Sequence, residues 1–302
     1  MFPTTRTLAA AAMVGVLLAP TAALAETPSS TTEENLHTAL TIEAFDWARY
    51  TVYAEQADRE DDGSASALFT DTAAEDRYDH LAALAIPAGL VGGNAQNLQA
   101  AIDGEVYEAT VMYPEFAATA RAEGCTQAAS MFRSIAAEEK MHAKKYTVAL
   151  SAITRGRGSI PRATGLQYIT VTPQLPACGG QTQTNLVTAM HGEALATVKY
   201  QLFAEVALNS GNAALADLFA GTATVEFREH FSDEANLSGL MWDTETNLTD
   251  AAASEDVEAT VTYPAFAQQA TEAEDFDVAS LFEELAVAEG LQRDAFLLLA
   301  ER

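Results

Sequence analysis

Cysteine is nearly absent from this 302-residue chain, and that scarcity excludes several chemistries at once. Cys125 and Cys178 are the only two, so neither a four-cysteine iron site nor a four-cysteine zinc site can be built within the chain. Basic residues are also few: 16 Lys and Arg face 43 Asp and Glu, and the resulting net charge of -27 repels nucleic acid and anionic lipid over most of the surface. Beyond the N-terminal residues no apolar run is long enough to span a bilayer, so no membrane span is expected in the mature chain. Glycine-rich phosphate loops, a Ser-His-Asp arrangement and His-Glu-x-x-His are missing, which leaves the common hydrolase and nucleotide chemistries without residues.

What is present begins with an export signal. Arg6, the apolar run from Leu8 to Leu18 and Ala23-Leu24-Ala25 read as a signal peptide over residues 1–25, which places the mature protein in the periplasm or outside the cell. A disulfide between Cys125 and Cys178 and two free thiols are both compatible with the spacing.

The remainder repeats itself with a period of 150. Glu43, Tyr50, Glu55, His80, Glu105, Glu108, Tyr113-Pro114, Phe132 and Glu139 recur as Glu193, Tyr200, Glu205, His230, Glu255, Glu258, Tyr263-Pro264, Phe282 and Glu289. The reading is a short N-terminal linker at 26–34, a first copy at 35–154, a linker at 155–184 rich in Gly, Pro and Thr, and a second copy at 185–302. Apolar residues recur at helical spacing within each copy, and the breakers divide the first into helices over about 33–59, 64–86, 95–122 and 126–154. Pro114 and Pro264 fall inside the third helix of each copy and should kink it. The fold class is therefore all-α, with two tandem four-helix bundles.

Carboxylates stand at inward-facing positions on all four helices. The first copy places Glu43 in an apolar stretch, Asp76 on the second helix, Glu105 and Glu108 one turn apart on the third, and Glu139-x-x-His142 on the fourth. The second copy answers with Glu193, Glu226, Glu255, Glu258 and Glu289. In ferritin-like di-metal bundles, acids and Glu-x-x-His pairs from four helices converge in this way, and bridging carboxylates offset the charge of two close cations. Oxygen with imidazole suits iron, with manganese as the alternative. Without metal such acids repel one another when buried. A single Glu-x-x-Glu on a helix is usually a solvated face; four contributing helices, repeated twice, change that balance.

The stretch from Asn97 to Tyr146, with Gly104-Glu105-x-x-Glu108, Tyr113-Pro114-Glu115-Phe116-Ala117 and Phe132 through Glu139-x-x-His142, closely resembles two helices of the rubrerythrin family, and the likeness extends over both copies. The resemblance implies a di-iron centre, one or two per chain, ligated by the acids named above and His142. It further implies Tyr113 and Tyr263 hydrogen-bonded to those ligands, and peroxide or ferrous iron as substrate. The rubredoxin domain that usually accompanies this family is absent, so the electron donor is unknown and lies elsewhere. The second helix departs from the family's Glu-x-x-His spacing: His80 and His230 fall one residue late, a rotation of about 100°, and ligate only if a bulge intervenes. The expectation is that they are solvated. Gln292 stands where the fourth helix of the first copy has His142, which predicts unequal sites. A non-catalytic exported protein that binds iron or another divalent metal is the alternative function, and a scaffold with vestigial acids is a third.

The connection between the second and third helices limits how the copies combine. Asp76 and Glu105 must end at the same height, yet residues 87–94 reach at most about 28 Å against a descent of roughly 30 Å. Two arrangements stand open. Frayed helix ends would lengthen the crossover, or the first two helices of one copy pack against the last two of the other. In the second arrangement Glu43 and Asp76 join Glu255, Glu258 and Glu289, while Glu193 and Glu226 join Glu105, Glu108, Glu139 and His142.

Overall fold

A computed structural model describes residues 28–302, and the signal peptide expected over residues 1–25 lies outside them. Eight helices account for most of the described residues: α1 (Ser30–Arg59), α2 (63–85), α3 (94–122), α4 (Thr126–Arg155), α5 (Gly180–Asn209), α6 (213–238), α7 (244–272) and α8 (Phe276–Ala300). Their ends follow local chemistry. Asp62, Asn212 and Asp243 accept from backbone N–H groups in the first turns of α2, α6 and α7. Gly156 and Gly239 close α4 and α6 in the left-handed conformation that a side chain would strain. Two expected boundaries move. Helix α1 starts at Ser30, because the Ser29 hydroxyl accepts from Thr32 N at 3.2 Å, and α5 starts at Gly180, inside the stretch expected to be linker.

The expected proline kinks take a particular form. Each proline follows a π-turn, Glu108–Met112 in α3 and Glu258–Thr262 in α7, and stands second in the α-helix that resumes. A residue without an N–H is tolerated there, since the wider turn has already interrupted the i→i−4 ladder. Two further π-turns occupy Asp76–His80 in α2 and Glu226–Phe231 in α6.

The bundles do not coincide with the sequence copies. One core joins Leu36, Leu40, Tyr50 and Phe69 of α1 and α2 to Tyr263, Phe282, Leu285 and Phe296 of α7 and α8. Another joins Leu98, Ala101 and Tyr146 of α3 and α4 to Tyr200, Phe203 and Phe219 of α5 and α6. The first bundle is thus α1, α2, α7 and α8, and the second is α5, α6, α3 and α4. The chain leaves α2 for the other bundle through residues 86–93, and returns from α6 to α7 through residues 239–243. Neither segment could run the length of a bundle. The bundles meet along α1 and α5, where the Phe45 ring stacks on His191 at 4.0 Å and Trp47 packs on Phe227. Each fully buried aromatic of the two cores, such as Tyr50, Phe69, Phe203 and Phe219, contributes roughly 2 kcal/mol by leaving water.

The linker from Gly156 to Gly179 is an ordered strap along α6. Ile169 N donates to Arg228 O at 2.9 Å and Ala177 N to Leu237 O at 2.9 Å, while Asn236 bonds Thr170 and Thr172. Cys125 and Cys178 form a disulfide, with Cα atoms 6.0 Å apart, that ties the start of α4 to the residues before α5 within the second bundle. No described helix is long and apolar enough to cross a membrane.

Candidate metal centre

Each bundle buries a set of acids at mid-height, contributed by all four helices. In the second bundle Glu193 comes from α5, Glu226 and His230 from α6, Glu105 from α3, and Glu139 and His142 from α4; all six are at most 2% exposed. Their ligand atoms fall into two groups of four. Glu105, Glu139, His142 and Glu226 lie mutually within 4.8 Å, and so do Glu139, Glu193, Glu226 and His230. Glu139 and Glu226 belong to both groups. Two positions sharing two carboxylates, each with its own further acid and its own imidazole, is the arrangement that a pair of close cations requires.

His230 was expected to be solvated, and the structure corrects this. The π-turn Glu226–Phe231 supplies the one-residue offset, so His230 turns inward and its Nδ1 lies 2.8 Å from Glu226 and 2.9 Å from Glu139. His80 behaves alike: its Nδ1 is 3.0 Å from Glu43 and 3.3 Å from Glu289. Asp79, which an unbroken α-helix would have turned inward, is exposed. Glu108 is half-buried and stands outside both groups of the second bundle.

The first bundle gathers the same elements into a thinner set. Glu43, His80 and Glu289 form one group and Glu255, Glu258 and Glu289 another, sharing Glu289 alone. Asp76 is buried beside them but belongs to neither group; its Oδ1 accepts from Gln292 Nε2 at 3.1 Å.

Four tyrosines hold the acids in place. Tyr113 donates to Glu193, Tyr263 to Glu43, Tyr50 to Glu255, and Tyr200 to Glu105 at 2.7 Å. Each bond runs between the two copies. The sequence reading named Tyr113 and Tyr263, whereas Tyr50 and Tyr200 went unassigned although they were landmarks of the repeat. Also missed were Glu138, whose carboxylate lies 3.3 Å from His230 Nε2, and Glu234, which accepts from Tyr113 at 2.9 Å. The buried pair Asp46 and Arg49 was missed as well. None of these four has an identical counterpart 150 residues away, so the repeat could not mark them.

Electrostatics show what such a cluster costs. Burial, with Glu226 and Glu105 nearby, pushes Glu139 well above the usual carboxylate range. Burial would raise Glu226 too, but His142 and His230 on either side hold it down to about 2. Burial opposes the charge on both imidazoles, yet Glu226 beside His142 and Glu139 beside His230 raise them well above the ordinary value. In the first bundle burial and Asp46 push Glu255 up to about 8, against Tyr50, Glu289 and Arg49. Among the ligand atoms of the second bundle, Glu105 Oε2, Glu139 Oε1, His142 Nε2, both Glu226 oxygens and His230 Nδ1 are buried without a hydrogen-bond donor or acceptor in good geometry. Orphaned groups of this kind normally cost 1 kcal/mol or more apiece, roughly, unless a cation takes them up. The donor set, carboxylate oxygen plus imidazole, fits iron or manganese.

Comparison with known proteins agrees with this geometry. A family profile described as Rubrerythrin matches residues 91–177. The chain is 34% identical over 140 residues to a rubrerythrin of Porphyromonas gingivalis, covering 42% of this chain and 70% of the relative. It is 35% identical over 141 residues to a rubrerythrin of Nitratidesulfovibrio vulgaris, covering 42% and 73%, and 32% identical over 127 residues to the symerythrin of Cyanophora paradoxa, covering 41% and 71%. No solved structure matches.

Proposed function

The chain belongs to the rubrerythrin family, and from that premise we propose that it is an exported di-iron oxidoreductase that reduces peroxide or oxidises ferrous iron at the centre of its second bundle. The observation that carries the reading is the pair of four-residue groups sharing Glu139 and Glu226. Glu139 and Glu226 would bridge, Glu105 and His142 would complete one position, and Glu193 and His230 the other. A ferrous pair supplies the two electrons that, with two protons, reduce hydrogen peroxide to two molecules of water. The protein's own contribution is geometric. Tyr200 and Tyr113 orient Glu105 and Glu193 from the opposite copy, and their bonds leave the second carboxylate oxygen of each free to ligate. Near-complete burial keeps bulk water from the site. The disulfide supports the export reading, since such bonds persist in oxidising compartments.

One observation favours the alternative, a binding protein that sequesters iron, manganese or another divalent metal without turnover. Both cysteines are consumed in the disulfide, so the chain offers no thiolate iron site to pass electrons inward. Stopped-flow mixing separates the two. Chain loaded anaerobically with ferrous iron and mixed with peroxide should oxidise about two irons per peroxide, at a rate far above that of free ferrous iron, and Glu139→Ala with His142→Ala should abolish the fast phase. Oxidation no faster than free iron would leave only the binding function.

A further inference from the structure

The two bundles are built from one repeated sequence, yet their ligand sets differ at three places that act on the same position. We infer that the first bundle holds a single metal ion, at Glu43, His80 and Glu289, and that its second position, without the bridging glutamate and the imidazole of the second bundle, holds none. The inference rests on reading the second bundle as a paired centre.

The bridge is the first difference. In the second bundle Glu226 belongs to both groups, whereas the first bundle has Asp76 at that register, one methylene shorter, which lies 3.6 Å from His80 Nδ1 but completes neither group. Gln292 Nε2 donates to Asp76 Oδ1, and Gln292 itself stands in the register of His142. One exchange thus removes the imidazole and engages one oxygen of the acid at the bridging register. A neutral amide oxygen is a weaker ligand than imidazole for iron or manganese.

Glu255 and Glu258 remain at that position, and one oxygen of Glu255 is engaged by the protein. Tyr50 donates to Glu255, and Arg49 Nη2 lies 2.8 Å from the Tyr50 hydroxyl, donating to its oxygen. A hydroxyl that accepts from a permanent cation donates more strongly, so Glu255 is gripped more firmly than Glu105 is by Tyr200. Arg49 is fixed by Asp46, and both are about 95% buried. In the second bundle Ala196 replaces Asp46 and Lys199 replaces Arg49; Lys199 is half-buried and lies over the Tyr200 ring at 5.2 Å, but makes no ion pair among the described residues. Burying an arginine and an aspartate together is expensive unless the pair is well bonded, and here it is linked through Tyr50 to an acid that a second ion would need.

The other position keeps its imidazole and two of its three acids. His80 keeps Glu43 at 3.0 Å and Glu289 at 3.3 Å, the counterparts of Glu193 and Glu139 around His230. Imidazole with two carboxylates holds one divalent ion. One ferrous ion supplies one electron, so the two-electron reduction of peroxide belongs to the second bundle alone.

Native mass spectrometry of the full chain loaded anaerobically with ferrous iron or with manganese counts ions per chain. The expected count is three, falling by one in His80→Ala with Glu289→Ala and rising by one in Asp76→Glu with Gln292→His, each variant being first matched to the parent by circular dichroism and melting. A parent count of four, or a loss of two in the His80 and Glu289 variant, overturns the inference. So does an unchanged count in a folded Asp76 and Gln292 variant, or a crystal structure with anomalous scattering at Glu255, Glu258 and Glu289. The paired reading of the second bundle fails separately, if Glu139→Ala with His142→Ala removes fewer than two ions.

Discussion

Single side chains decide how well each position can hold a cation, and the second bundle shows how a neighbour outside the cluster contributes. His230 presents Nδ1 to Glu226 and Glu139 and Nε2 to Glu138, so a carboxylate at the bundle's edge fixes the tautomer and ring plane of an inward-facing imidazole. The His230 imidazole in turn holds the Glu138 carboxyl below its usual range. Glu138→Ala should weaken metal binding at that position by about tenfold while leaving the number of ions at saturation unchanged. Competition with a chromophoric chelator measures this, and an unaltered affinity would show that Glu138 does not position His230. The first bundle has Ala288 at this register, so no equivalent substitution exists there.

Secondary-structure elements explain which parts of the site could be read from the sequence. Glu43, Glu105, Glu139 and their copies were legible because helical spacing and the 150-residue period both mark them, though the same signals marked Glu108, which stands outside both groups of its bundle; the short crossover left the exchange of helix pairs as one of two open arrangements. His80 and His230 were not legible. An i→i+5 turn is set by what the helix packs against, and local propensity barely distinguishes it from a continuous α-helix. In α2 the turn closes with Leu81 N bonding Asp76 O, which amounts to one residue inserted into an α-helix. Deleting exposed Asp79 should therefore restore an unbroken helix with Asp76 and the histidine three apart, keep the histidine in the cluster and retain the first bundle's ion. Deleting exposed Ala82 instead leaves the histidine four residues after Asp76, about 100° further round, and should lose the ion. Equal metal content in the two deletions would show that the turn is not a one-residue insertion.

Over the whole molecule, charge and metal should be coupled to stability. The chain carries a net charge of -27, and its two buried clusters add repulsion that only protons or cations relieve. For Glu255 the folded value is about 8 against an ordinary 4.5, so its contribution to stability is fully present below about pH 4.5 and is lost as pH rises through 8. Glu139 and Glu289, raised by burial and neighbouring acids, act in the same direction. So do His142 and His230, whose raised values mean stability present below 6.5 and lost at higher pH. His191 opposes them. Burial, then Arg49, lowers it to about 4, so its stabilising effect is present above 6.5 and disappears as pH falls through 4. Glu226 adds nothing in this window, because its lowered value makes its contribution complete above 4.5. The balance between pH 5 and 8 favours the groups that lose stability as pH rises. Metal-free protein should accordingly melt several degrees lower at pH 8 than at pH 5.5, since each 1 kcal/mol, roughly, moves the melting temperature of a chain this size by about 1.5 °C. Loaded protein should show the reverse order, because ions replace the protons at high pH and are displaced by them at low pH. Melting curves of chelated and reloaded protein at the two pH values check both halves. A metal-free chain that melts higher at pH 8 would mean that the buried acids are not under the strain their surroundings impose.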